Sequence, residues 1–327
     1  MPVPRTRSCA FCLPESPPDY GAHRQLLTRQ KTGQVFTARL TTSSAAPDDY
    51  PEPGGIAVKS FTRRAATAAL ALLLVVLACP PAGAVAASKK GVTVNTVPGV
   101  DQALRDVRAG WFYNWAADLQ GVTKPDGTEF VPMIWGSGAV TPEHLAKAKS
   151  LGTTLLGFNE PDMAGQANLT VERALDLWPQ LQGTGMRLGA PAVAFGGDQA
   201  GGWLDRFLSG AAARGLRVDF IPLHWYGSDF SAAAVDHLRG YLQAVHNRYG
   251  KPIWLTEYAL IDFTQGTPRY PSQDQQVAFV KNSAAMLQGL PFVERYSWFT
   301  LSTATAPTGL YDGATANASG QAYRSVG

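Results

Sequence analysis

Thr154-Leu155-Leu156-Gly157-Phe158-Asn159-Glu160-Pro161-Asp162 is a short apolar run that ends in one acid and then in turn-forming residues. Ile253-Trp254-Leu255-Thr256-Glu257-Tyr258 repeats the design, a hydrophobic strand with a single glutamate near its end. Strand side chains alternate, so Leu156, Phe158 and Glu160 are expected on one face, as are Ile253, Leu255 and Glu257. Two carboxylates at the ends of separate strands are what cleavage of a glycosidic bond requires. One protonates the leaving oxygen, and the other attacks the anomeric carbon or activates water. A lone glutamate at a strand end is more often a surface residue than a catalyst. Two of them, each with aromatic neighbours, point to a pocket.

Outward from these segments, short β-like runs alternate with helical ones. The strand candidates are 91–95, 111–115, 131–135, 154–159, 188–194, 220–226, 253–258 and 295–299. Helix starts are marked between them. Thr141 precedes Pro142 at a first helical position. Thr170 precedes an apolar face of Val171, Ala174, Leu175, Trp178 and Leu181. Ser272-Gln273-Asp274-Gln275 has capping-box spacing. Only the crossover 116–130 lacks a helical pattern. Eight strands alternating with helices predict an α/β fold, a single (β/α)8 TIM barrel, over 88–327. A doubly wound open sheet is the alternative, but no Gly-rich phosphate turn follows the first strand.

The front of the chain reads differently. Residues 1–57 are polar and rich in Pro, Ser and Thr, without periodicity. Residues 58–87 place Lys59-Ser60-Phe61-Thr62-Arg63-Arg64 before an apolar run containing Leu72-Leu73-Leu74-Val75-Val76-Leu77, then Ala82-Gly83-Ala84-Val85-Ala86-Ala87. A basic stretch, a short apolar stretch and an A-x-A site are the marks of a secretory signal peptide. Because that signal starts near Val58, 1–57 is expected to be a mis-annotated or disordered N-terminal extension, with a genuine long leader as the alternative. Val76-Leu77-Ala78-Cys79 also approximates a lipobox, so a lipoprotein anchored through Cys79 is the alternative to a soluble secreted product.

The net charge of +3 belongs to this leader, because 88–327 holds 19 Lys and Arg against 20 Asp and Glu. A near-neutral domain without a basic cluster argues against nucleic-acid partners. All three cysteines, Cys9, Cys12 and Cys79, precede residue 88, so the domain has neither disulfide nor thiolate metal site. The five histidines show no metal-binding spacing, and no cofactor or metal is expected. No obligate protein partner is implied, and a monomer is expected.

Candidate sugar contacts follow from position. Trp115, Trp135 and Trp298 stand near strand C-terminal ends and offer flat apolar faces with an N–H donor. Trp111 and Trp254, in mid-strand, and Trp178 and Trp203, on helices, are read as core. His224-Trp225-Tyr226 closes the sixth strand candidate. His224 and Tyr226 share a face there, with Tyr226 placed to donate to Glu257 and His224 to orient a carboxylate or a sugar hydroxyl. Trp225 and Tyr258 join the list by adjacency.

In this order and density, these segments resemble glycoside hydrolase family 128. The resemblance runs from about Lys89 to the C-terminus. It rests on Trp111-Phe112-Tyr113-Asn114-Trp115, Val131-Pro132-Met133-Ile134-Trp135-Gly136, Gly157-Phe158-Asn159-Glu160-Pro161-Asp162, Leu188-Gly189-Ala190-Pro191, His224-Trp225-Tyr226-Gly227, Trp254-Leu255-Thr256-Glu257-Tyr258 and Tyr296-Ser297-Trp298-Phe299. The family implies retaining hydrolysis of β-1,3-glucan, with Glu160 as acid/base and Glu257 as nucleophile. It further implies Asn159 on the sugar 2-hydroxyl and Trp298 as the floor of the subsite beside the cleavage point. Asn95-Thr96-Val97-Pro98 departs from the Asn-Asp-Ala of fungal members, which leaves the distal subsites open. A secreted glucan-binding protein without hydrolytic activity, or a barrel glycosidase of another linkage, are the competing readings.

Overall fold

The computed structural model describes residues 88–327. The expectations for 1–57 and for the export signal at 58–87, Cys79 included, lie outside the described residues. Eight parallel strands are present: β1 Lys90–Thr93, β2 Trp111–Tyr113, β3 Glu129–Phe130, β4 Thr154–Leu155, β5 Arg187–Leu188, β6 Ile221–Gly227, β7 Ile253–Leu260 and β8 Val293–Trp298. Hydrogen bonding runs β3-β2-β1-β8-β7-β6 in one sheet and β4-β5 in another. Single parallel bridges, Met133 to Leu156 and Gly189 to Phe220, join the two into a closed ring. The architecture is a (β/α)8 barrel.

The helices start where the sequence marks them. Thr141 and Thr170 accept the backbone N–H groups of His144 and Arg173 at the heads of the helices Pro142–Leu151 and Val171–Gln182. Ser272 and Gln275 form a reciprocal capping box on Gln273–Gly289. Each such cap stabilises its helix by about 1 kcal/mol. No helix connects β2 to β3, in keeping with the patternless crossover. The barrel interior is filled by Trp111, Tyr113, Val131, Met133, Leu156, Phe220 and Trp254. A second, larger apolar layer lies between strands and helices. At the far end from the strand C-termini, Arg295 stacks over Trp254 at 4.3 Å and pairs with Glu129, while Arg187 covers Phe220 and pairs with Glu294. These cations close the bottom of the barrel through their stacked guanidinium planes.

Three strand expectations need correction. The third strand is regular only at Glu129–Phe130 rather than over 131–135, because Pro132 contributes no N–H to the ladder. The fourth and fifth are regular for two residues each, and the rest of each run is extended chain held by isolated bridges.

The expected alternation also fails, at both glutamates. Leu156 lies inside the barrel, whereas Phe158 packs outside it, edge-on to Trp178 at 6.1 Å. Gly157 sits between them, where a Cβ would stand 2.9 Å from the carbonyl oxygen of Gly189. On β7, Ile253 and Leu255 face the helices and Trp254 faces the interior. Leu255 pairs with Leu223 and Glu257 with His224, so Thr256 is the extra residue of a β-bulge. The bulge resets the phase and turns Glu257 inward.

Replacing Gly157 with alanine is therefore expected to force β4 and β5 apart. That costs about 1–3 kcal/mol, or a Tm lowered by roughly 3–10 °C in thermal denaturation. An unchanged Tm would contradict the close approach.

Candidate active site

The strand C-termini converge on two buried carboxylates. Glu257, on β7 after the bulge, is 4% exposed. Its Oε1 accepts from the indole Nε1 of Trp115 at 2.7 Å and from the Tyr113 hydroxyl at 3.0 Å. Its Oε2 accepts from the Tyr226 hydroxyl. Burial, and then the charge of Glu257, push both tyrosine phenols well above their ordinary pKa. They stay neutral donors, so this carboxyl accepts from three uncharged groups.

Glu160 stands opposite in a different environment. It is 8% exposed, and its backbone adopts φ +41°, a left-handed conformation uncommon for a side chain of this size. The conformation is fixed on both sides. The Glu160 N–H donates to Ala192 at 2.7 Å, the Asn159 N–H donates to Trp135 at 2.9 Å, and Asp162 accepts from the Ala194 N–H at 2.9 Å. Trp115 shares the left-handed conformation at φ +58°. Strain of this kind collects where the surroundings over-determine a functional geometry.

Burial raises the Glu160 pKa, and the charges of Glu257 and Asp162 add to the rise against the opposing pull of His224. His224 Nδ1 is hydrogen-bonded to Glu160 Oε1 at 2.8 Å. Burial alone would lower the imidazole, but the carboxylates of Glu257, Glu160 and Asp162 outweigh it and raise it. The Glu160–His224 pair thus holds its proton to higher pH than an ordinary carboxyl would. His224 Nε2 points at Glu257 Oε1 from 3.4 Å. An oxygen of Glu160, a nitrogen of His224 and an oxygen of Glu257 all lie within 4.8 Å of one another. Among the described residues these three are the side chains on which a cation could converge, but the oxygens of Glu257 already accept from three protein donors. A carboxyl of raised pKa facing a second one held by three neutral donors is an arrangement that suits an acid and a nucleophile.

The remaining expected residues divide into two groups. Asn159, Trp115, Trp135, His224 and Tyr226 line or adjoin the carboxylates. Asn159 Nδ2 donates to Gln166, while its buried Oδ1 accepts no hydrogen bond from the protein. Trp225, Tyr258 and Trp298 do not belong to this group. Trp225 follows the inward His224 and stacks on Phe279 of the helix Gln273–Gly289 at 5.8 Å. Tyr258 and Trp298 are fully buried on the same outer side, 5.1 Å apart, and Trp298 donates to the Thr308 carbonyl. Period-two alternation sends the neighbour of an inward residue outward, which corrects all three.

Phe299 occupies the place expected of Trp298. It is half-buried and stands edge-on to Trp115 at 6.1 Å and to Tyr226 at 5.5 Å. Tyr113 is the other residue the sequence reading passed over. Its signal was available, because Trp111, Tyr113 and Trp115 share one face.

A family model described as glycosyl hydrolase catalytic core matches residues 92–323. A solved family 128 (subgroup I) endo-β-1,3-glucanase from Amycolatopsis mediterranei, in complex with laminaritriose, is 70% identical with a TM-score of 0.73. The match covers 73% of this chain and 99% of that one. A subgroup II endo-β-1,3-glucanase from Sorangium cellulosum is 30% identical with a TM-score of 0.62, covering 73% and 99% of the two chains. Among curated proteins, alkali-sensitive linkage protein 1 of Schizosaccharomyces pombe is 33% identical over 218 residues, or 63% of this chain. The chain spans 38% of that relative's length. The chain belongs to glycoside hydrolase family 128.

Glu160 donates only while protonated, so activity is expected to fall as pH rises through its raised pKa. On a glycan with an unactivated leaving group, kcat/KM should show a basic limb that Glu160→Gln removes along with most of the rate. A basic limb unaltered in Glu160→Gln would assign the titrating acid elsewhere.

Proposed function

We propose that this member of family 128 is an endo-β-1,3-glucanase that acts with retention, with Glu160 as acid/base and Glu257 as nucleophile. The observation that carries the reading is the contrast between two carboxylates whose oxygens approach within 4.8 Å. Retaining enzymes hold their carboxyl groups about 5–5.5 Å apart, whereas inverting ones need about 6.5–9.5 Å to admit a water. The short separation favours direct attack.

The β-1,3 linkage is supported by the relatives. The Amycolatopsis enzyme was solved with laminaripentaose and with laminarihexaose. The two glutamates replaced singly in its solved variants are separated by the same number of residues along that chain as Glu160 and Glu257 are along this one.

Glu257 attacks the anomeric carbon while Glu160 delivers its proton to the departing glycosidic oxygen. Glu160, now ionised, then takes a proton from the water that releases the sugar from Glu257. His224 orients Glu160 in both halves through Nδ1. Asn159 is suited to the 2-hydroxyl, since its buried Oδ1 accepts nothing from the protein. Trp135 and Phe299 offer the half-buried aromatic surfaces on which sugar rings pack.

On a panel of polysaccharides, laminarin and curdlan are expected to be cut to mixed oligosaccharides, with little release from carboxymethylcellulose or xylan. The first product seen by proton NMR should be the β-anomer. Comparable rates on carboxymethylcellulose would overturn the linkage, and an α-anomer appearing first would overturn retention.

A further inference from the structure

Trp115 stands where a sugar platform is expected, but its geometry fits another task. Its indole N–H is already committed to Glu257 Oε1, at 2.7 Å the shorter of the two bonds to that oxygen. Its ring is held edge-on between Tyr113 at 5.3 Å and Phe299 at 6.1 Å. The backbone accepts a left-handed φ of +58° to put it there. A side chain recruited only as a stacking surface would need neither the strained backbone nor an N–H aimed at the carboxylate.

Resting on the double-displacement reading above, we propose that Trp115 is a positioning residue for release of the glycosyl-enzyme. Its indole N–H holds Oε1 of Glu257 as charge returns to that carboxylate. In the release step, the water oxygen bonds to the anomeric carbon and the bond from that carbon to Glu257 breaks. The bonding electron pair returns to the Glu257 carboxylate, and the water proton passes to Glu160. A neutral donor fixed beside the returning charge stabilises this transition state, most strongly where bulk water is excluded. In the first half-reaction the carboxylate gives charge away, so the same donor slightly opposes attack. Removing it should therefore affect the two halves in opposite directions. Tyr113 shares the oxygen at 3.0 Å and Tyr226 holds the other one, so Glu257 stays oriented when the indole is lost.

The test compares wild type, Trp115→Phe and Trp115→His on an aryl β-laminaribioside, with intact-protein mass spectrometry of the quenched enzyme. Trp115→Phe keeps an aromatic ring without the donor, and Trp115→His restores a ring N–H. For Trp115→Phe, kcat is expected to fall about 100-fold, with KM falling alongside it as the glycosyl-enzyme accumulates. A mass increment of one laminaribiosyl unit should appear in the steady state, and Trp115→His should recover part of the rate. A raised KM without covalent accumulation would show Trp115 to be a sugar platform and overturn the proposal. Should Trp115→Phe fail to fold, the same readouts on Trp115→His decide, because a wild-type KM and no adduct there with a lowered rate would also overturn it. Labelling of wild type with 2-deoxy-2-fluoro-laminaribiosyl fluoride separates the two levels. No label on Glu257 would sink double displacement itself. A labelled wild type beside a Trp115→Phe adduct that turns over at the wild-type rate would sink only the role of Trp115.

Discussion

A carboxyl group buried at the mouth of a barrel must be satisfied by the protein, and Glu257 imposes that condition on everything around it. Taking such a group from water is costly unless it is hydrogen-bonded. Here the donors are uncharged, two from the β2 segment and one from β6. Neutral donors hold the negative charge without forming an ion pair that would bind it too tightly to react. The requirement reaches into the backbone. β7 inserts Thr256 to turn the acid inward, and Trp115 takes a left-handed conformation to bring its N–H to the oxygen.

Glu160 is the counterpart, with charge handled in the opposite way. Among the described residues its one side-chain hydrogen-bond partner is His224, itself deep in the wall between the two acids. Burial and neighbouring negative charge raise Glu160, and nothing in its surroundings supplies the three donors that Glu257 receives. One barrel thus holds a carboxyl whose pKa is raised and a second carboxyl held by three uncharged donors. The difference comes from the number and kind of donors rather than from depth, since both acids are nearly inaccessible. His224 spans the pair, with Nδ1 on one acid and Nε2 turned toward the other.

Much of this was legible in the chain. The strand count, the three capped helices and the helix-free crossover followed from short-range chemistry that tertiary packing did not override. Glu160 and Glu257 were legible because each closes an apolar run with aromatic neighbours. The phase of each strand was not. The bulge at Thr256 comes from fitting eight strands into one ring and leaves no mark in residue type, whereas the close approach at Gly157 is marked only by the glycine itself. The errors at Trp225, Tyr258 and Trp298 have another origin, since each adjoins an inward residue and alternation alone sends it outward. Tyr113 was passed over for a different reason. A tyrosine between two tryptophans reads as core until a buried carboxylate is found against its hydroxyl.

The central claim is the division of labour between the two glutamates, and azide rescue reads it most directly. Glu160→Ala and Glu257→Ala are each given a dinitrophenyl β-laminaribioside, whose leaving group needs no proton, with sodium azide present. In Glu160→Ala the covalent intermediate still forms at Glu257, and azide should release it as the β-glycosyl azide. In Glu257→Ala the small anion takes the place of the missing carboxylate and should give the α-glycosyl azide. Proton NMR distinguishes the two products. The α-azide from Glu160→Ala with the β-azide from Glu257→Ala would reverse the assignment and contradict the account.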